Sequence, residues 1–173
     1  MKKYLLFTIL AILLTGCGSK QTLETVTDEY VQPVMAQMQQ IAVSLPMDAT
    51  VSVLEEASAG TIYLCDGYTV TVQTTEAGDL QRTLQETTGY SAEELRTIQT
   101  QCGDLTRTEG VWTAAGEQEE QLGRFAVLDD GNYHYVLTCM VDVSRVEQLQ
   151  PTWQDLFDSF RLVSPGTELN TGS

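Results

Sequence analysis

The sequence predicts an α+β domain: an antiparallel β-sheet of about six strands, in two meanders, covered by helices. Three observations predict it. Two blocks of β-branched, alternating sequence, residues 50–75 and 105–142, are broken by short turn signals such as Asp66-Gly67 and Asp129-Asp130-Gly131. Segments of helical spacing precede, separate and follow these blocks. The chain has 173 residues and 42% hydrophobic content, enough for one ordinary domain with its own core.

The elements follow in order. Over residues 23–45, Leu23, Val26, Tyr30, Val34, Met38, Ile41 and Leu45 recur at helical spacing; Pro33 starts or kinks this helix and Pro46 ends it. TVSVLEEA (50–57), TIYLC (61–65) and YTVTVQTT (68–75) read as strands. In the third, Tyr68, Val70 and Val72 share one face, and Thr69, Thr71 and Gln73 take the watery one. Gly78-Asp79 caps a short helix with Leu80 and Leu84 turned inward. Ser91-Ala92-Glu93-Glu94 is a capping box, which predicts a second short helix with Leu95 and Ile98 inward.

The second meander comprises LTRTEGVWTAA (105–115), EQLGRFAVL (120–128) and NYHYVLTCMVD (132–142). Its last strand places Tyr133, Tyr135, Leu137, Cys139 and Val141 on one face, and His134, Val136, Thr138, Met140 and Asp142 on the other. A closing amphipathic helix carries Val146, Leu149, Trp153, Leu156, Phe157 and Phe160, with Pro151 expected at its first position. Arg161-Leu162-Val163 reads as a last short strand. The single domain spans 23–164, and 165–173 reads as a flexible tail.

The run from Tyr133 to Val163 resembles the carboxyl end of PsbP/Mog1-like domains. Those close with a strand, a crossover helix ending in Ser-Phe and a short strand; Asp158-Ser159-Phe160-Arg161-Leu162-Val163 carries the match. The resemblance implies a binding or assembly module rather than an enzyme, and it brings no catalytic motif.

The amino terminus gives an address. Lys2 and Lys3 precede an apolar run from Tyr4 to Leu14, too short to span a bilayer, which needs about 20 residues. Leu14-Thr15-Gly16-Cys17 resembles the lipobox of bacterial lipoproteins. The resemblance implies a signal peptide over 1–16, cleavage between Gly16 and Cys17, a diacylglycerol of palmitate-type chains on Cys17, and a lipidated tether over 17–22. Two acyl chains anchor stably where one does not. The expected location is the extracytoplasmic face of the cell membrane.

The charge balance is 24 acidic against 9 basic residues, and two of the basic ones, Lys2 and Lys3, lie in the leader. Such a chain repels phosphate backbones, so nucleic acid is not an expected partner; an envelope protein or a small ligand is. His134 is the sole histidine, so an envelope hydrolase or thiol enzyme of the Ser-His-Asp or Cys-His kind would have to use it, while carboxylate pairs for glycoside hydrolysis do not stand out among so many acids. The alternative places His134 on the surface beside a hairpin. Cys65 and Cys102 are the candidate disulfide pair, weighed against three buried thiols.

Trp112, Tyr133, Tyr135 and Trp153 are the candidate lining of a ligand pocket, which would make the protein a small-solute receptor; such aromatics equally build a core. Asp129-Asp130-Gly131-Asn132 lacks the ligand spread of a calcium loop and reads as a tight turn. Glu117, Glu119 and Glu120 read as a solvated edge. No motif for a metal, a cofactor or a phosphate is present in the sequence.

Overall fold

The structure is a computed structural model that describes residues 37–52, 60–116 and 119–165. Nine strands and two helices are described, in the order β1 (Gln40–Ala42), β2 (Thr50–Val51), β3 (Gly60–Cys65), β4 (Tyr68–Glu76), α1 (Leu80–Thr88), β5 (Arg96–Cys102), β6 (Leu105–Ala115), β7 (Glu120–Asp129), β8 (Tyr133–Asp142), α2 (Val146–Ser159) and β9 (Arg161–Val163). A 3₁₀ turn, Val143–Arg145, leads into α2. Seven strands form one antiparallel sheet in the order β2-β3-β4-β8-β7-β6-β5, and β1 pairs with β9 in a separate ribbon.

The two predicted meanders are therefore halves of one sheet. They join where β4 pairs with β8, from Tyr68 opposite Val141 to Glu76 opposite Tyr133. Gly67 and Gly131 take positive φ at the β3–β4 and β7–β8 turns, which any residue with a Cβ adopts at a cost. At the β7–β8 turn Asp129 and Asp130 are consumed locally. Asp129 Oδ1 accepts from the Gly131 N–H at 2.7 Å, and Asp130 Oδ1 accepts from the N–H groups of Asn132 at 2.9 Å and Tyr133 at 2.7 Å.

Strand parity divides the core. On one face Tyr68, Val70, Ala126, Leu128, Tyr135, Leu137, Cys139 and Val141 pack under α2, through Leu149, Trp153, Leu156 and Phe157, with Phe160 just after it. On the other, Leu84 of α1 packs with Trp112, Phe125, Val127 and Val136. Burying each such side chain contributes about 1.5–3 kcal/mol. Two glycines make the second layer fit. Gly110 lies opposite Phe125 and Gly123 opposite Trp112. A Cβ on Gly110 would stand 2.6 Å from the Phe125 ring, and one on Gly123 would collide with the six-membered ring of Trp112. The rings, 6.0 Å apart, thus lie flat on bare backbone.

Three expectations are corrected. The helix read over 23–45 lies outside the described residues up to 36; beyond that, Gln40–Ala42 is a strand. Ile41, Val43 and Leu45 all pack on the α2-side core, a period of two, and pairing with β9 holds Gln40–Ala42 extended against the competing helical spacing. The second short helix after α1 is absent. Its capping box closes a single turn, with Glu94 Oε2 accepting from the Ser91 N–H at 2.9 Å and hydroxyl at 2.7 Å, and the chain then enters β5. Leu95 still packs inward, whereas Ile98 is 71% exposed. Pro151 stands inside α2 rather than at its start. It is exposed, as is Glu147, the residue whose carbonyl it deprives of a partner, so water can serve that carbonyl.

The glycine–ring contact gives a stability test. Gly123→Ala is expected to cost about 1–3 kcal/mol in urea unfolding, the range of overpacked cores. In a Trp112→Leu background the same change should cost under about 0.5 kcal/mol, because the collision is gone. Equal costs in both backgrounds would show that the ring contact does not require glycine there.

Candidate functional site

His134 lies in β8 on the face opposite Cys139, as strand parity predicts. It is not on the surface: it is 1% exposed, closed over by α1. Its Nδ1 stands 2.7 Å from the Thr83 hydroxyl of α1, and its Nε2 stands 3.7 Å from Asp129 Oδ2. Thr75 is in register beside it on β4, with a buried hydroxyl that has no hydrogen-bond partner among the described residues. Thr83, His134 and Asp129 are the residue types of a nucleophilic triad, but the threonine and the imidazole are both buried, so a substrate cannot reach them. The arrangement fastens α1 to the sheet.

The cysteines do not meet. Cys65, Cys102 and Cys139 are free thiols. Five strand spacings separate β3 from β5, roughly 24 Å, whereas a disulfide needs Cα atoms within about 7 Å. The Cys65–Cys102 bridge is therefore not formed. Cys65 and Cys139 face α2, and His134 faces α1. Cys102 is at the free end of β5, three strands from β8. No cysteine–histidine dyad is assembled among the described residues. Burial pushes the Cys139 thiol up to about 12 and raises the Cys65 thiol as well, so both stay protonated at neutral pH.

The aromatic set divides in the same way. Tyr133, Tyr135 and Trp153 are on the α2 side, with the two tyrosine rings 6.1 Å apart, while Trp112 lies across the sheet under Leu84. These four do not line one pocket; they build two core layers. Tyr135 also ties in the incoming chain. Its hydroxyl accepts from the Gln39 N–H at 2.9 Å and donates to Asp130 Oδ2 at 3.0 Å. Burial, with the Asp130 carboxylate beside it, pushes that phenol up to about 12.

Two surfaces are open. One is a shallow groove of about 540 Å³ between β1 and the β3–β4 hairpin, lined by Met38, Gln39, Ile41, Thr61, Val72 and Gln73, among others. No charged side chain lines it among the described residues. The other is the outer part of the α2-side face, on β5, β6 and β7. There Glu109 Oε1 accepts from Arg107 Nη2 at 3.1 Å and from Arg124 Nη2 at 3.3 Å. Arg107 also donates to the Phe157 carbonyl at 2.8 Å and the Phe160 carbonyl at 3.4 Å, serving the carbonyl end of α2. The Arg124 guanidinium lies 4.2 Å from the centre of the Phe157 ring. Sequence reasoning missed this cluster, although its signal was there: Arg107 and Glu109 alternate on one strand face with Leu105 and Val111.

With this geometry in view, solved structures can be compared. The cyanobacterial PsbP of Synechocystis sp. PCC 6803 superposes with a TM-score of 0.50, at 9% identity, over 72% of this chain and 92% of that one. The fold is PsbP/Mog1-like. The Saccharomyces cerevisiae Ran-binding protein Mog1p has a TM-score of 0.48 at 12% identity, over 72% of this chain and 90% of its own. LpqN, described as involved in cell envelope biogenesis of Mycobacterium tuberculosis, has 0.48 at 10% identity, over 74% and 86%. No protein-family profile matches the chain, and no curated protein does. The PsbP/Mog1-like sheet hosts no metal-ligating cluster among the described residues, and no described helix is long and apolar enough to cross a membrane.

Two measurements check the site. Burial acts to raise the Glu109 carboxyl, but Arg107 and Arg124 outweigh it and hold it below the usual carboxylate range. Its folded value is lower than the unfolded value of about 4.3, so ionised Glu109 adds stability above that pH, and the contribution is lost as pH falls through the folded value. Urea midpoints of wild type and Glu109→Gln should therefore differ at pH 7 and converge toward pH 3; a gap of constant size would remove Glu109 from the account. In a thiol titration of native protein, Cys102 should react at once, Cys65 more slowly, and Cys139 only after unfolding. Rapid reaction of Cys139 would contradict its burial.

Proposed function

We propose that this chain is a lipid-anchored protein of the bacterial cell envelope, held through Cys17 at the extracytoplasmic face of the cell membrane. On this reading its PsbP/Mog1-like domain is a non-catalytic binding or assembly module. The observation that carries the second half is the sealing of His134 under α1, bonded to Thr83 and across the sheet from Cys139. A Ser-His-Asp or Cys-His enzyme of this chain would need that imidazole as its base. The small-solute alternative loses the pocket expected of it, since Trp112 and Trp153 are on opposite faces. The anchor rests on the order of charge, apolar run, Gly16 and Cys17 in the leader, which lies outside the described residues. Acyl chains each contribute about 0.8 kcal/mol per buried methylene, so a doubly or triply acylated cysteine would hold the domain at the bilayer without a spanning helix.

The test is fractionation with an acyl label. Cells fed an alkyne-tagged palmitate should label the wild-type chain and retain it in sedimented membranes, and Cys17→Ser should lose both label and retention. An unlabelled wild-type chain recovered in the soluble fraction would end the anchor reading.

A further inference from the structure

β5 is the last strand of the seven-stranded sheet, with one side unpaired among the described residues. Its seven residues, Arg96 to Cys102, are all exposed, and it pairs only with β6 among the described residues. The register with β6 is unbroken from Arg96–Val111 to Cys102–Leu105, so no bulge blunts the edge. It holds no proline and no lysine, the residues that usually protect such an edge. Its outward N–H and C=O groups form a template for another extended chain.

The side chains beside this edge say what that chain would carry. Arg96, Val111 and Arg124 stand in register across β5, β6 and β7, on the α2-side face. In the next row Ile98 lies opposite Glu109, and in the next Thr100 lies opposite Arg107. Three of the six arginines in a chain of net charge −15 thus gather on one patch. The patch holds one carboxylate, Glu109, and both of its neighbouring arginines already bind it. Ile98 and Val111 are 71% and 50% exposed in the middle of it. Glu93, Glu94 and Asp104 sit beyond the two ends of β5, and between them Arg96 is its one charge.

We propose that the β5 edge is the partner-binding site of this domain, and that its occupant is an extended, acidic segment of another protein, added to the sheet as a further strand. The inference rests on the binding-module reading above. On the α2-side face the added strand sets a carboxylate against Arg96 and an aliphatic side chain against Ile98, which places those two residues two positions apart in the partner. Its alternate side chains meet Thr97, Gln99 and Gln101 and are polar. A second copy of this chain fits less well: antiparallel pairing of β5 on itself about Gln99 sets Arg96 against Cys102 and Ile98 against Thr100, and leaves Arg96 without a counter-charge.

The test is fluorescence anisotropy with a dye-labelled, end-capped ten-residue peptide in which valine and glutamate alternate at every second position between threonines. The full-length chain in detergent should bind it saturably, with a Kd on the order of 10–100 μM at low salt. Replacing the glutamates by lysine, or N-methylating the backbone, should weaken binding at least about tenfold. Arg96→Glu and Gln99→Pro should each do the same, the first through charge and the second by removing a backbone donor. If Gln99→Pro misfolds by circular dichroism, Arg96→Glu and the methylated peptide decide alone. Absence of saturation by about 1 mM, or equal affinity for the lysine peptide, overturns the proposal. So does concentration-dependent dimerisation through β5 with no peptide binding. The binding-module reading fails separately: it ends if cross-linking in membranes captures no partner on wild type, whereas a partner still captured by Arg96→Glu leaves it standing and moves the site elsewhere.

Discussion

The pairing of β4 with β8 is the contact on which the rest of the molecule depends. Each half of the sheet is a local structure, closed by short turns. Neither half buries both faces alone: β2-β3-β4 is three strands and β8-β7-β6-β5 four, and each leaves an open edge where the other joins. Bringing Tyr68–Glu76 against Tyr133–Val141 places β8 in the middle, where it is buried on both faces, with α2 on one side and α1 on the other. This contact joins segments about 65 residues apart, so its loop-closure entropy must be met before the core rewards it. Folding of such a topology is slower than that of a helical bundle of the same size.

Each helix is then fastened by a polar device as well as by its apolar stripe. For α1 it is the buried Thr83–His134 contact; for α2 it is Arg107, which serves the carbonyls of Phe157 and Phe160 while bound to Glu109. The two devices differ in kind. His134 is fully buried, and the hydroxyl of Thr83 can donate or accept, so Nδ1 has its partner in either tautomer. The arginine–glutamate cluster is half-buried and depends on ionised Glu109, so it is the more sensitive to acid. It also leaves a positive patch on a chain that is otherwise strongly negative, which is why that face differs in chemistry from the groove beside β1, whose described lining carries no charge.

Function and fold are connected through what is left open. Among the described residues the imidazole lies under a helix, one thiol sits in the core and four aromatics are shared between two layers, while the Cys102 thiol stays exposed at the end of β5. What remains exposed is backbone at an edge, guanidinium groups and a few aliphatic side chains. On the proposed reading those are the materials of recognition, and a lipid at Cys17 would confine them to a surface where weak contacts suffice.

From the sequence alone, the class of fold, the hairpins at Asp66-Gly67 and Asp129-Asp130-Gly131, the start of α1 at Asp79 and the facing of every residue in β8 were legible. All of these are local: a turn needs its glycine, a helix its cap, a strand its period of two. Tertiary structure alone decided that Arg96–Cys102 is a strand, since the capping box before it fits a helix equally well until β6 offers a partner. It decided the burial of His134, the distance between Cys65 and Cys102, and the separation of Trp112 from Trp153. The order in which strands lie side by side is set by contacts between residues far apart in the chain. No window of sequence holds both members of such a pair.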